Sequence, residues 1–227
     1  MKNLEDTLFS DWKEIVHAQT SAIFVSDGIV DEIEWEKSAV KVLYLLKEVN
    51  GADDEWDERD YLAKYNEKQE YIDTHSPTID VLTKWQYGIV QGSDRTWEQV
   101  EKEACQRDMQ SQLLRQICLV NIKKTAGGGV VDWNQFDAYF AQEINRQNLK
   151  EQLSFYAPDV VICGGTAWHL CQIMGWKYNT WKETSRGVRY YKDGSTTYLD
   201  FCHPNNRGPK NMIYFGLLDA LAELDCI

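Results

Sequence analysis

Residues Gln116–Gly129 read QICLVNIKKTAGGG. The apolar run Ile117–Val120 ends in Asn121, and two lysines and three glycines follow. A short, unbroken apolar run bounded by polar and turn-forming residues is how a strand buried on both faces reads. Such strands belong to parallel sheets, whose ligands gather beyond the carboxyl ends. Asn121 is then the side chain that a stiff strand aims, and the lysines and glycines begin an open loop.

The same reading extends outward in both directions. AVKVLYLL (Ala39–Leu46) is a second continuous β-type run, and PDVVICGG (Pro158–Gly165) is a third. VRYYKDGSTTYLDF carries an Asp193-Gly194 turn between alternating segments, a hairpin signal whose second arm runs into CHPNNRGPKN. Helical patterns separate these runs. They are expected from Met1 to about Ala18, from Arg59 to about Gln91 with a break at His75-Ser76-Pro77, and from Trp97 to about Leu114. Others are expected from about Trp133 to Tyr156, over TAWHLCQIMG, and from about Met212 to Leu224. Strands alternating with helices predict an α/β fold, a three-layer α/β/α sandwich around a mainly parallel four-stranded sheet. At 227 residues, with few prolines, no repeat and no low-complexity linker, the chain is expected to form one domain over 1–227.

The composition narrows the function classes. No apolar run approaches the roughly 20 residues that span a bilayer, and the start MKNLEDTLFSDWKEI is acidic rather than a targeting segment. A cytoplasmic protein without membrane contact is expected. The six cysteines form no C-x-x-C pair, so reduced buried thiols are expected and neither a metal nor another cofactor is implied. A Cys/His hydrolase is disfavoured, because adjacent strand residues such as Cys202 and His203 point to opposite faces. The net charge of −12 argues against a generic nucleic-acid binder. However, residues 1–110 carry −13 and residues 111–227 carry +1. A cationic face on the second half is therefore compatible with the total, and the acidic half would suit a protein partner.

Four segments fall at the expected strand ends: Lys47-Glu48-Val49-Asn50-Gly51, Asn121-Ile122-Lys123-Lys124, Gly164-Gly165-Thr166 and His203-Pro204-Asn205-Asn206-Arg207. In this order they resemble the motifs of the uracil-DNA glycosylase superfamily, nearest the branch whose first motif is Gly-Glu-Ala-Pro-Gly. KVLYLLKEVNG is similar to that strand and motif, ICLVNIKK to the strand bearing the base-reading Asn, and HPNNRG to the His-Pro-Ser motif. LLKE-x-N and N-x-KKTAGG also resemble a bacterial glycosylase-like subgroup. Asn50 stands where the motif has Pro, Asn205 where it has Ser, and the iron–sulfur cysteines of that branch are absent.

The resemblance implies a monofunctional, metal-free DNA glycosylase that flips a base from DNA and hydrolyses its N-glycosidic bond. Glu48 would stabilise the sugar cation or position water, with Asp53 a rival for the water. Asn121 would read the base edge, and His203 would donate to the base oxygen as it becomes anionic. Asn50 and Trp56 would contact the base. Lys123, Lys124, Gly164, Gly165, Asn205, Arg207 and Lys210 would face the DNA, with Asn205 to Arg207 a candidate wedge. The departures at Asn50 and Asn205 point to a reshaped pocket and a modified base, such as a modified cytosine in phage DNA, and so to defence. Uracil repair is the alternative substrate reading, and a binding module without chemistry is the alternative class.

Overall fold

The computed structural model describes residues 2–51, 54–67, 76–92 and 94–227. Among the described residues there are nine strands: β1 (Val25–Ser26), β2 (Gly28–Ile29), β3 (Val42–Leu46), β4 (Trp56–Asp57), β5 (Ile117–Asn121), β6 (Val160–Gly164), β7 (Lys182–Glu183), β8 (Arg189–Asp193) and β9 (Thr196–Phe201). Every residue of β3, β5 and β6 is buried. Their unbroken apolar runs follow from cover on both faces.

The main sheet has the order β2-β5-β3-β6-β9-β8-β7. Its centre, β5-β3-β6-β9, is parallel throughout. β2, β8 and β7 pair antiparallel at the two margins. The sheet is thus mixed and has seven strands, not the four expected. β2 and β7 are two residues long, too short to leave a periodic signal in the sequence. Residues 25–29 and the helix Glu32–Lys37 have no counterpart among the expected elements.

Alternation along the strands divides the core into two clusters. Val42, Tyr44, Leu46, Ile117, Leu119, Val160 and Ile162 pack with residues of the helices Pro77–Gln91, Trp97–Ala104, Arg107–Arg115 and Lys210–Glu223. Leu43, Leu45, Cys118, Val120, Val161 and Cys163 pack with the helices Lys2–Gln19, Trp133–Ala141, Glu143–Ser154 and Ala167–Met174. Successive strand side chains point to opposite faces, so the two clusters lie on opposite sides of the sheet.

Two expected helices are each divided. The 97–114 segment breaks at Cys105 and Gln106, where Gln106 is extended at φ −67°, ψ 133°. The 133–156 segment breaks at Gln142, extended at φ −69°, ψ 121°. There the Arg146 Nη1 donates to the carbonyls of Phe140 and Ala141 at 2.7 and 2.8 Å, and Asn145 Nδ2 donates to Tyr139 O at 2.9 Å. These side chains satisfy the carbonyls that the break frees, which lets the apolar periodicity continue across it. The expected break before Pro77 falls beside residues 68–75, outside the described residues. Ser76 caps the helix that Pro77 begins.

Candidate functional site at the carboxyl ends of the parallel strands

The chain leaving β3 passes into helices on one face, and the chain leaving β6 passes into the helix Ala167–Met174 on the other. Adjacent parallel strands whose loops part in this way define a topological switch point, the usual ligand crevice of an open α/β sheet. Lys47 and Glu48 follow β3 there, and Gly165 and Thr166 follow β6. A Cβ on Gly164 would lie 2.5 Å from Leu46 Cδ2 and 3.6 Å from His203 Cα, so β3, β6 and the His203 loop meet too closely for a side chain. Gly165 has φ +72°, and a Cβ there would stand 3.0 Å from Lys47 Nζ. These contacts explain both glycines of the Gly164-Gly165 pair.

On the β9 side, His203 is half-buried. Its Nδ1 accepts the Asn205 backbone N–H at 3.1 Å, which places the ring proton on Nε2. Burial, with the charges of Lys47 and Lys210, lowers its pKa to about 4, so the ring is neutral at physiological pH. Lys210 Nζ donates to the carbonyl of Pro204 at 2.9 Å and also to that of Asn206, fixing the loop. Asn205, Asn206 and Arg207 are exposed at its tip.

The β5 side is built differently. The ladder continues past the strand, with Ile122 N–H to Leu46 O at 3.0 Å and Lys123 N–H to Lys47 O at 2.8 Å. Lys123 Nζ pairs with Glu48 Oε2 at 2.6 Å, both side chains only 5% exposed. Glu48 Oε1 is buried and, among the described residues, has no hydrogen-bond partner. Gly127 makes this arrangement possible, because a Cβ there would lie 2.2 Å from the Glu48 carboxyl. Gly127 also exchanges backbone hydrogen bonds with Val49 and Gly51 at 2.8 and 2.9 Å, tying the two loops together. Lys124 is fully buried, pairs with Asp27 at 2.5 Å and stands over the Phe9 and Trp12 rings. Asp27 in turn accepts the Asn121 backbone N–H at 2.7 Å and Gln152 Nε2 at 2.9 Å.

These positions correct three expectations. Lys123 and Lys124 do not face a ligand's phosphates; each is consumed by a buried carboxylate. Asn121 is 2% exposed, and its Nδ2 donates to Glu58 Oε2 at 2.8 Å, so its N–H group is not held ready for a base. Its amide oxygen has no hydrogen bond among the described residues. Trp56 lies in the small parallel β1–β4 ladder and meets the Tyr61 ring edge-on at 5.0 Å, a packing position. Asn50 is exposed and bridges to Gly127. Asp53 lies outside the described residues. Glu48 and His203 both follow strands that flank β6, so their strands are about 10 Å apart from the usual strand spacing. Asn121 lies one strand further from His203.

Several site residues have no assigned role in the sequence reading. Glu58 begins the helix Glu58–Ala63, and burial beside the Asp27 charge raises its pKa to about 8. Lys47 is half-buried, and burial lowers its pKa despite the neighbouring Glu48. Trp133, 51% exposed, and Trp168, 59% exposed, each occupy the first turn of the helix that follows a parallel strand. Val130 and Met212 are also exposed on the same strand-end segments. This much was readable: a Trp one to three residues after a turn that follows a buried strand falls on the ligand side of the sheet.

A separate cavity, lined by Thr180, Tyr190, Tyr191 and Glu223, lies at the antiparallel margin. Among the described residues no three His, Cys, Asp or Glu are placed to hold a metal ion, and no helix is long and apolar enough to cross a membrane. All six cysteines are unpaired. Compared with family models, curated proteins and solved structures, the chain has no significant match to any of them.

Proposed function

We propose that the protein is a DNA glycosylase, built as a three-layer α/β/α sandwich, that hydrolyses the N-glycosidic bond of a modified or damaged base taken out of the helix. A modified cytosine of phage DNA is the leading substrate and anti-phage defence the leading role. Cleavage of this bond builds positive charge on the sugar and negative charge on the base. The observation that carries the reading is the pair of groups flanking β6. His203 is neutral with its N–H fixed on Nε2, suited to meet an anionic base oxygen. Glu48 is a buried carboxylate with one oxygen anchored by Lys123 and the other unpartnered, suited to hold a water or face a sugar cation.

Asn121 keeps a role in base recognition through its amide oxygen, since its donor is taken by Glu58. An acceptor in that position would meet the exocyclic amine of cytosine or the N3–H of uracil. Arg207 and the Asn205–Asn206 tip remain the DNA-facing residues of the His203 loop.

The test is base release. The protein is incubated with uracil-containing DNA and, separately, with phage DNAs bearing different modified cytosines. Released base and an alkali-labile abasic site are expected from one of them, and His203→Ala should lower the rate about 10²–10³-fold, the usual loss for one oxyanion donor. DNA binding without base release from any substrate would leave only the binding-module alternative.

A further inference from the structure

We propose that Lys47 is an amine nucleophile that captures the C1′ aldehyde of an abasic deoxyribose, giving the protein a strand-cleaving lyase activity beyond base removal. The inference rests on the glycosylase reading, which supplies that sugar.

Three lysines stand at the ends of β3 and β5, and two are neutralised. Lys123 and Lys124 pair with Glu48 and Asp27 at 2.6 and 2.5 Å. Lys47 alone of the three has no carboxylate within ion-pair distance among the described residues. Its Nζ reaches Gly164 O only at 3.5 Å and lies 5.8 Å from the centre of the Trp133 ring. It stands at the switch point against Gly165, the residue where any side chain would crowd it. Trp133 and Gly165 are both exposed and Lys47 itself is half-buried, so this corner of the crevice opens to solvent.

A partly desolvated lysine that no ion pair locks in place is the environment that leaves an amine available as a nucleophile. Burial lowers the Lys47 pKa in the same direction. The Nζ of Lys123 and that of Lys124 are each occupied by a buried carboxylate and are not free to meet a ligand.

The chemistry balances without an oxidant or a metal. The Nζ lone pair adds to the ring-opened C1′ carbonyl, and the carbinolamine loses one water to form a C1′=Nζ imine. A C2′ proton then passes to water, and the C3′–O3′ bond breaks with its electron pair leaving on the 3′ phosphate oxygen. Water hydrolyses the imine and returns the free amine, replacing the water first released.

The experiment is reductive trapping on the full chain. An oligonucleotide with a preformed abasic site is mixed with the protein and borohydride, and a second oligonucleotide carries a tetrahydrofuran analogue that lacks the aldehyde. A covalent adduct with the first alone, mapped by mass spectrometry to Lys47, is the expected result. Lys47→Arg keeps a cation beside Trp133 but cannot form this imine, and should lower trapping at least 100-fold with an unchanged melting temperature. Lys47→Ala provides a second, independent loss. An adduct that persists in both variants, or maps elsewhere, overturns the proposal, as does wild type that yields no adduct. Base release without trapping would overturn this inference and leave the glycosylase reading standing. Trapping on the preformed site without base release from any substrate would do the reverse.

Discussion

On the β5 side of the strand ends, cations meet buried carboxylates: Lys123 with Glu48, Lys124 with Asp27, and Arg59 with Glu5 at 2.6 Å. On the β6–β9 side, Lys47 and Lys210 reach backbone carbonyls, and His203 accepts a backbone N–H. The two sides are adjacent and carry similar residue types. They differ in whether each charge has been answered within the protein. Where it has, the side chains are structural and sealed, save the second oxygen of Glu48, which has no hydrogen-bond partner among the described residues. Where it has not, the groups are half-buried, neutral or weakly held, and available to a ligand. Perturbed groups that stand in a cleft without an internal partner are the stronger functional candidates.

The largest effect should come from breaking the sealed side. Lys124→Met leaves Asp27 buried with its charge unopposed, and should cost about 3–5 kcal/mol of unfolding free energy in urea titrations. Removing both charges, as Asp27→Asn with Lys124→Met, should recover most of that loss, because a buried pair contributes far less net stability than its rupture costs. Single and double variants that destabilise equally would show that Lys124 acts through its contacts with Phe9 and Trp12 instead.

The next effect belongs to the open side and should leave stability alone. His203→Ala should slow base release about 10²–10³-fold, roughly 3–4 kcal/mol in the barrier, with thermal unfolding unchanged. The imidazole pKa is lowered to about 4. The ring is therefore neutral above that value, and no limb in the rate profile between pH 5 and 8 should belong to it. A rate that falls as pH drops through 6.5, and loses that fall in the His203 variant, would mean the ring is less shielded than its burial and the nearby lysines imply.

Gly127 joins the two sides. Gly127→Ala places a Cβ against the Glu48 carboxyl, at 2.2 Å before relaxation. Overpacking of this kind costs about 1–3 kcal/mol. It should also displace Glu48 from Lys123 and lower base release. Gly128→Ala, next in the same loop, has its nearest neighbour at 3.6 Å and should do neither.

The contrast also explains what could be read from the sequence. The parallel centre was legible because β3, β5 and β6 are apolar at nearly every position, a pattern that burial on both faces demands. The marginal strands were not, since two residues carry no period. The strand-end segments were legible as places, yet the fates of their lysines were not. Lys124 is neutralised by Asp27, 97 positions away in sequence, and Asn121 is held by Glu58, 63 positions away. No local spacing encodes those meetings. A lysine beside a strand end reads the same whether its carboxylate arrives from a distant loop or not, so local sequence points Lys123 and Lys124 to phosphates and assigns Lys47 no role.

Glu58 provides a smaller, pH-dependent test of the sealed side. Its carboxyl is held protonated by burial and by Asp27, with a pKa raised to about 8 from an ordinary value of 4.5. Between those values the native state binds the proton more tightly than the unfolded chain does. Glu58 therefore favours folding below about pH 4.5, and this contribution is lost as pH rises through 8. Glu58→Gln should flatten that decline. At pH 9 it should be the more stable form by about 1 kcal/mol or more, since each unit of raised pKa corresponds to about 1.4 kcal/mol. An unchanged pH profile would mean that Asn121 and Lys124 already support the ionised carboxylate.

The smallest effect on stability should come from the exposed rim. Trp168 is 59% exposed and meets the Tyr178 ring edge-on at 6.3 Å, so Trp168→Ser should change unfolding by no more than about 0.5 kcal/mol. If the rim receives unstacked bases, the same substitution should weaken single-stranded DNA binding by about 1–3 kcal/mol, the usual worth of one stacked base. The sealed side offers the control. Trp12 is fully buried and donates to Asn145 Oδ1 at 2.7 Å, so its loss should unfold the protein before binding can be read. A Trp168 variant that binds DNA as tightly as wild type would confine recognition to the crevice between Glu48 and His203 and leave the rim an exposed surface without a role in binding.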